Sequence, residues 1–81
     1  MKLNWYFIKK GIPNISNLGF CVTAWTKEDA IYLLEKRFSL IGEFDSNKDI
    51  TKLNSLEELE KDHVLPNIGN PIPRGIWFPS I

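Results

Sequence analysis

The sequence predicts a single two-layer α+β domain: a mainly antiparallel sheet of three or four strands with one main helix packed on it. Three observations carry that expectation. Residues 3–9 and 18–25 are rich in aromatic and β-branched side chains and are separated by turn-forming residues. Residues 26–38 then switch to helical periodicity. The chain is 81 residues long, enough for one core and too short for two domains.

In the first segment Leu3, Trp5 and Phe7 fall on one face and Tyr6 and Ile8 on the other. A strand apolar on both sides is usually central or covered. The stretch from Gly11 to Asn17 contains Gly, Pro and Asn, which tolerate or impose turn geometry. From Leu18 to Trp25 the side chains alternate again, with Leu18, Phe20, Val22 and Ala24 opposite Gly19, Cys21, Thr23 and Trp25. This is the second strand, antiparallel to the first.

Thr26 is placed to cap the helix, because its hydroxyl can accept from a first-turn N–H, and Glu28 and Asp29 follow at the positive end of the dipole. Ala30, Leu33, Leu34 and Phe38 form one apolar stripe, and Lys36 and Arg37 sit near the negative end. Residues 42–52 lack periodicity and read as a loop. Ser55 and Glu58 have capping-box spacing, and with Leu56 and Leu59 they predict a short second helix over about 55–61. Val64 and Leu65 are candidates to begin a strand. Pro66, Pro71, Pro73 and Pro79 break the C-terminal stretch into extended pieces, leaving Ile76, Trp77 and Phe78 as the last strand candidate.

Composition limits the function classes. Ten basic and ten acidic residues give a formal charge of zero, which offers no general attraction to phosphate backbones or anionic lipid. The single cysteine excludes an internal disulfide and predicts a reducing, cytoplasmic compartment. The short apolar run at the start ends at Lys9-Lys10 and does not read as an export signal. No run approaches the roughly 18–20 apolar residues that span a bilayer.

Reactive constellations are sparse. A Cys–His pair would require Cys21 and His63 to meet in space. Structural zinc takes about four Cys or His ligands, and the two here do not suffice. Asp45, Asn47 and Asp49 suggest a calcium loop, but its sixth and twelfth positions are Ile50 and Leu56, where an EF-hand needs Gly and Glu. The glycines are too scattered for a phosphate cradle. No catalytic residue, metal or cofactor is therefore expected.

Two features stand above this background. Through Ile41 there are six basic and three acidic residues, and from Gly42 onward four basic and seven acidic. Glu57, Glu58 and Glu60 thus form a candidate acidic face for a cationic partner. The second feature is the segment from Pro66 to Pro79, in which prolines restrict the backbone around Arg74 and Trp77, residue types that often dominate binding energy. The same Trp77 can instead belong to a final strand that completes a small core.

The join Ala24-Trp25-Thr26-Lys27-Glu28-Asp29-Ala30-Ile31-Tyr32-Leu33-Leu34 resembles the strand-to-helix junction of small bacterial α+β proteins, including HicB-like antitoxins. With its size, acidic stretch and proline–tryptophan tail, the chain is similar in type to small immunity proteins of bacterial toxin systems, among them those of contact-dependent inhibition. The resemblance implies a cytoplasmic protein that binds a cognate toxin domain and blocks its active site or substrate path. It transfers no functional residue to any position here. The candidate contact residues are Glu57, Glu58, Glu60, Arg74 and Trp77. A rival reading is an antitoxin-like regulatory module, which would gather Lys2, Lys9, Lys10, Lys36 and Arg37 on one DNA-binding face. A small enzyme would need Cys21 and His63 within reach of each other.

Overall fold

The computed structural model describes residues 2–59, 61, 62 and 64–79. Four strands form one sheet: β1 (Asn4–Ile8), β2 (Phe20–Ala24), β3 (Ile50–Leu53) and β4 (Gly75–Phe78), in the order β3-β1-β2-β4 with every neighbouring pair antiparallel. Helix α1 (Lys27–Phe38) packs on one face against β2 and β4. The α+β class, the central first strand and its antiparallel pairing with the second are as the sequence predicts.

The register explains which side chains meet. Asn4 pairs with Ala24 and Ile8 with Phe20 across the β1–β2 hairpin. Tyr6, Ile8, Phe20, Val22 and Ala24 thereby turn to the helix and pack with Ala30, Leu34 and Ile50. Gly19 makes this hairpin possible: its φ is +91°, and a Cβ there would lie 2.1 Å from the Ile8 carbonyl oxygen. At the helix start Thr26 is extended and its Oγ1 accepts from the Asp29 N–H at 3.0 Å. The helix ends at Ser39 in the left-handed region, with the Ser39 N–H bonded to the Glu35 carbonyl.

β2 and β3 both run antiparallel to β1, so they are parallel to each other with β1 between them, a split β-α-β unit. β3 and β4 then occupy opposite edges of the sheet. The connection between them covers the face away from α1. Its Leu56, Leu59, Val64 and Ile68 pack on Trp5, Phe7, Cys21, Leu53, Trp77 and Phe78. Both sheet faces are therefore covered, one by the helix and the other by irregular chain. A bulge between Cys21 and Val22 of β2 shifts the β4 register, and the consecutive Trp77 and Phe78 enter the same cluster.

Three expectations need correction. Residues 50–52 fall at the end of the predicted loop, yet Ile50–Leu53 form edge strand β3; its buried ends, Ile50 and Leu53, point to opposite faces and leave only Thr51 and Lys52 between them, so the segment carries no periodic signal. The helix predicted over 55–61 is a single 3-10 turn, Leu56–Glu58. Its capping box is present, but the backbone turns extended at Leu59, which is 4% exposed and anchored on the sheet. Val64 and Leu65 do not begin a strand: Val64 is helical in backbone angles and precedes a 3-10 turn, Leu65–Asn67, whose start suits the fixed φ of Pro66.

Candidate protein-contact surface

The five residues singled out from the sequence separate in the structure. Glu57 is exposed, and its side chain has no partner among the described residues. Glu58, also exposed, spends its Oε2 on the fold, accepting from the backbone N–H groups of Asn54 at 2.5 Å and Ser55 at 2.8 Å. Glu60 lies outside the described residues, as does His63. Trp77 is 2% exposed and meets Trp5 edge-on with ring centroids 6.4 Å apart. Of the two readings open for Trp77, its position is that of a core residue.

Arg74 is exposed, and it organises a site that the sequence did not disclose. Its Nε donates to Asp29 Oδ2 at 2.9 Å and its Nη2 to Asp29 Oδ1 at 2.5 Å, a two-pronged pair across 45 residues of chain. Asp29 Oδ2 also accepts from the Trp25 N–H at 3.0 Å. The Trp25 carbonyl accepts in turn from Asn4 Nδ2 at 3.3 Å. Trp25 is thus fixed at both backbone groups while its side chain stays 41% exposed.

The proline segment delivers Arg74 to this place. The Pro71 carbonyl accepts from Trp5 Nε1 at 3.0 Å and from Thr23 Oγ1 at 2.6 Å, and the Gly69 N–H donates to the Trp77 carbonyl at 2.6 Å. Ile72, next along, is 72% exposed. Tyr32, one helical turn beyond Asp29, is 52% exposed and lies beneath Lys36 Nζ at 5.9 Å from its ring centroid. Trp25, Tyr32 and Ile72 are thus exposed residues adjoining the Arg74–Asp29 pair: Trp25 through its backbone bond to Asp29, Tyr32 one turn along the helix, and Ile72 two residues before Arg74. A signal for Tyr32 was present in the sequence, since it is an aromatic off the apolar stripe of α1. Trp25 and Ile72 had none, because their exposure depends on chain direction after β2 and on the docking of a coil.

The hydrogen bond from Arg74 holds the Asp29 carboxyl below the 3.8 of an ordinary aspartate; burial opposes this, and the Trp25 N–H reinforces it. A depressed carboxylate contributes stability that is present above its unfolded pKa and lost as pH falls through the folded one. Asp29→Asn should therefore lower the melting temperature by a constant amount between about pH 5 and 7. The gap to the unmodified protein should close as the pH drops below 3.8. Melting curves recorded across that range check it; a gap that persists at the acid end would show that the pair does not act through charge.

Other candidate chemistry is dispersed. Cys21 is fully buried and burial pushes its thiol up to about 12, so at neutral pH it is a protonated core side chain and not a thiolate. Among the described residues no group of three or more His, Cys, Asp or Glu is placed to hold a metal ion, and no helix is long and apolar enough to cross a membrane. The basic residues of the DNA-binding reading border three separate depressions: Lys9 and Lys10 beside Glu43 and Asp49, Lys36 and Arg37 beside α1 and β4, and Lys2 beside Lys52. No family model matches the chain, and neither the curated proteins nor the solved structures compared with it supply a match.

Proposed function

We propose that this chain is a non-catalytic cytoplasmic binding protein, an immunity protein that neutralises a cognate bacterial toxin domain by direct protein–protein contact. The observation that carries the binding reading is the exposure of Trp25, Tyr32 and Ile72, each within a few residues of the Arg74–Asp29 pair that ties helix α1 to the C-terminal coil. Trp, Tyr and Arg are the types most enriched among residues that dominate interface energy. Exposed large apolar side chains gathered in one place mark interaction sites more often than chance. The backbone beneath them is already ordered by Asp29, Asn4 and the Pro71 carbonyl, which reduces the entropy lost on association. The toxin-directed part of the proposal rests on the small size, the absence of a reactive cluster among the described residues and the resemblance in type to small immunity proteins.

The test is co-expression with the toxin domain encoded beside this chain, with growth as the readout and affinity measured on the purified pair. The unmodified protein should restore growth. Trp25→Ala combined with Tyr32→Ala should weaken binding by about a hundredfold or more while leaving the melting temperature nearly unchanged, because both side chains are exposed. Failure of the unmodified protein to protect would remove the immunity reading. Full protection by the double variant would place the contact elsewhere.

A further inference from the structure

The flank of α1 that faces β4 carries a groove of about 520 Å³ lined by Leu33, Phe38, Ile76 and Pro79, with Lys36 and Arg37 along it. Asp29, Leu33, Lys36 and Arg37 stand at i, i+4, i+7 and i+8 and so share one side of the helix. The groove and the Arg74–Asp29 pair therefore lie on the same side of α1, and Lys36, which borders the groove, also lies over the Tyr32 ring. The lining of the groove holds two cations and no carboxylate: Asp29, further along this side of the helix, is paired with Arg74, while Lys36 lies over the Tyr32 ring and the Arg37 guanidinium over Phe38 at 5.2 Å from its ring centroid. An apolar floor bordered by two cations selects for a segment that offers apolar side chains flanked by carboxylates.

We infer that the groove between α1 and β4 docks an acidic, apolar-patterned segment of a protein partner. This deepens the proposed binding role and rests on it for the identity of the biological partner. It concerns a different surface from the acidic stretch of Glu57, Glu58 and Glu60, for which the sequence suggests a cationic partner. The apolar lining favours a polypeptide over nucleic acid, since duplex phosphates would gain from Lys36 and Arg37 but would leave Leu33 and Ile76 facing water.

The test titrates isotope-labelled protein with a synthetic peptide of roughly nine residues alternating Glu and Leu, beside a Lys–Leu peptide of equal length. The Glu–Leu peptide should shift the amide signals of Leu33, Lys36, Arg37 and Ile76. Combined Lys36→Gln and Arg37→Gln substitution should weaken it by about tenfold, and raising salt from about 0.05 to 0.5 M should do the same to the unmodified protein without any substitution. Equal binding of the Lys–Leu peptide, signals that move elsewhere, no movement at all, or the same amides responding to duplex DNA would each overturn the inference. None of these outcomes bears on growth protection by the unmodified chain, so the two readings fail separately.

Discussion

Phe20→Ala is expected to leave the chain barely folded at physiological temperature. Phe20 is fully buried, and its ring sits 5.5 Å from that of Phe38 at the end of α1 and 5.9 Å, edge-on, from that of Phe44 in the following loop. One side chain thus ties the second strand, the helix terminus and the start of the long crossover to β3. Truncating a buried Phe costs about 3–5 kcal/mol through lost transfer energy and the cavity left behind. A chain of this length has roughly 4–12 kcal/mol in total. The melting temperature should fall by roughly 15–30 °C. Circular dichroism melts measure that directly. Labelling of Cys21 supplies an independent reading, because this fully buried thiol reacts only when β2 opens. A loss under about 1 kcal/mol would mean that Phe38 and Phe44 collapse into the space and that the cluster is not the keystone its packing indicates.

The parts of this fold that the sequence disclosed are those whose periodicity is local. Phe20 to Ala24 reads as a strand because both of its faces are buried, one under the helix and the other under the coil, and the stripe of α1 repeats because a single face is buried. β3 stayed hidden because its two buried residues serve different faces and because its assignment depends on pairing with β1, from Trp5 with Leu53 to Ile8 with Ile50, across more than forty residues. The candidate site shows the same division. Arg74 is legible in the sequence as a candidate contact residue, but its partner Asp29 has a sufficient local explanation as a first-turn acid near the helix dipole, so nothing in the sequence points to the pair. Trp77 was ambiguous for a deeper reason: cores and interfaces recruit the same aromatic types, and only burial separates them.

The proline-rich coil explains how irregular chain can cover a sheet face at all. Backbone laid over an apolar surface loses water from its N–H and C=O groups, and each must find a partner. Pro66, Pro71 and Pro73 have no N–H to satisfy. The Pro71 carbonyl, which does need partners, receives two, from Trp5 and Thr23. The polar Thr23, 1% exposed in the middle of β2, is thereby accounted for as the sheet's anchor for the coil. Ile72 is presented outward because Pro71 before it is held by its carbonyl, and Arg74 follows on exposed chain. The prolines that looked like a preformed contact loop thus act mainly by fixing a cover, and the contact residues are what that cover exposes.

Trp77 then separates stability from binding in a single comparison. Trp77→Ala should cost about 3–5 kcal/mol, since it removes the ring packed against Trp5 from a fully covered cluster. Trp77→Phe should cost far less. Among the described residues the buried indole Nε1 has no acceptor, and an unsatisfied donor already subtracts from stability, so exchanging the indole for a smaller ring trades some lost contact against relief of that penalty. A net loss near 1 kcal/mol is expected. Urea midpoints measure both variants. If Trp77 acts through the fold, affinity for a partner tracks the folded fraction: Trp77→Phe binds as the unmodified protein does, and Trp77→Ala loses binding only as far as it unfolds. A Trp77→Phe protein that remains fully folded yet binds about a hundredfold more weakly would require the indole to leave its cluster on association, and the surface around Trp25 and Arg74 would then be only part of the interface.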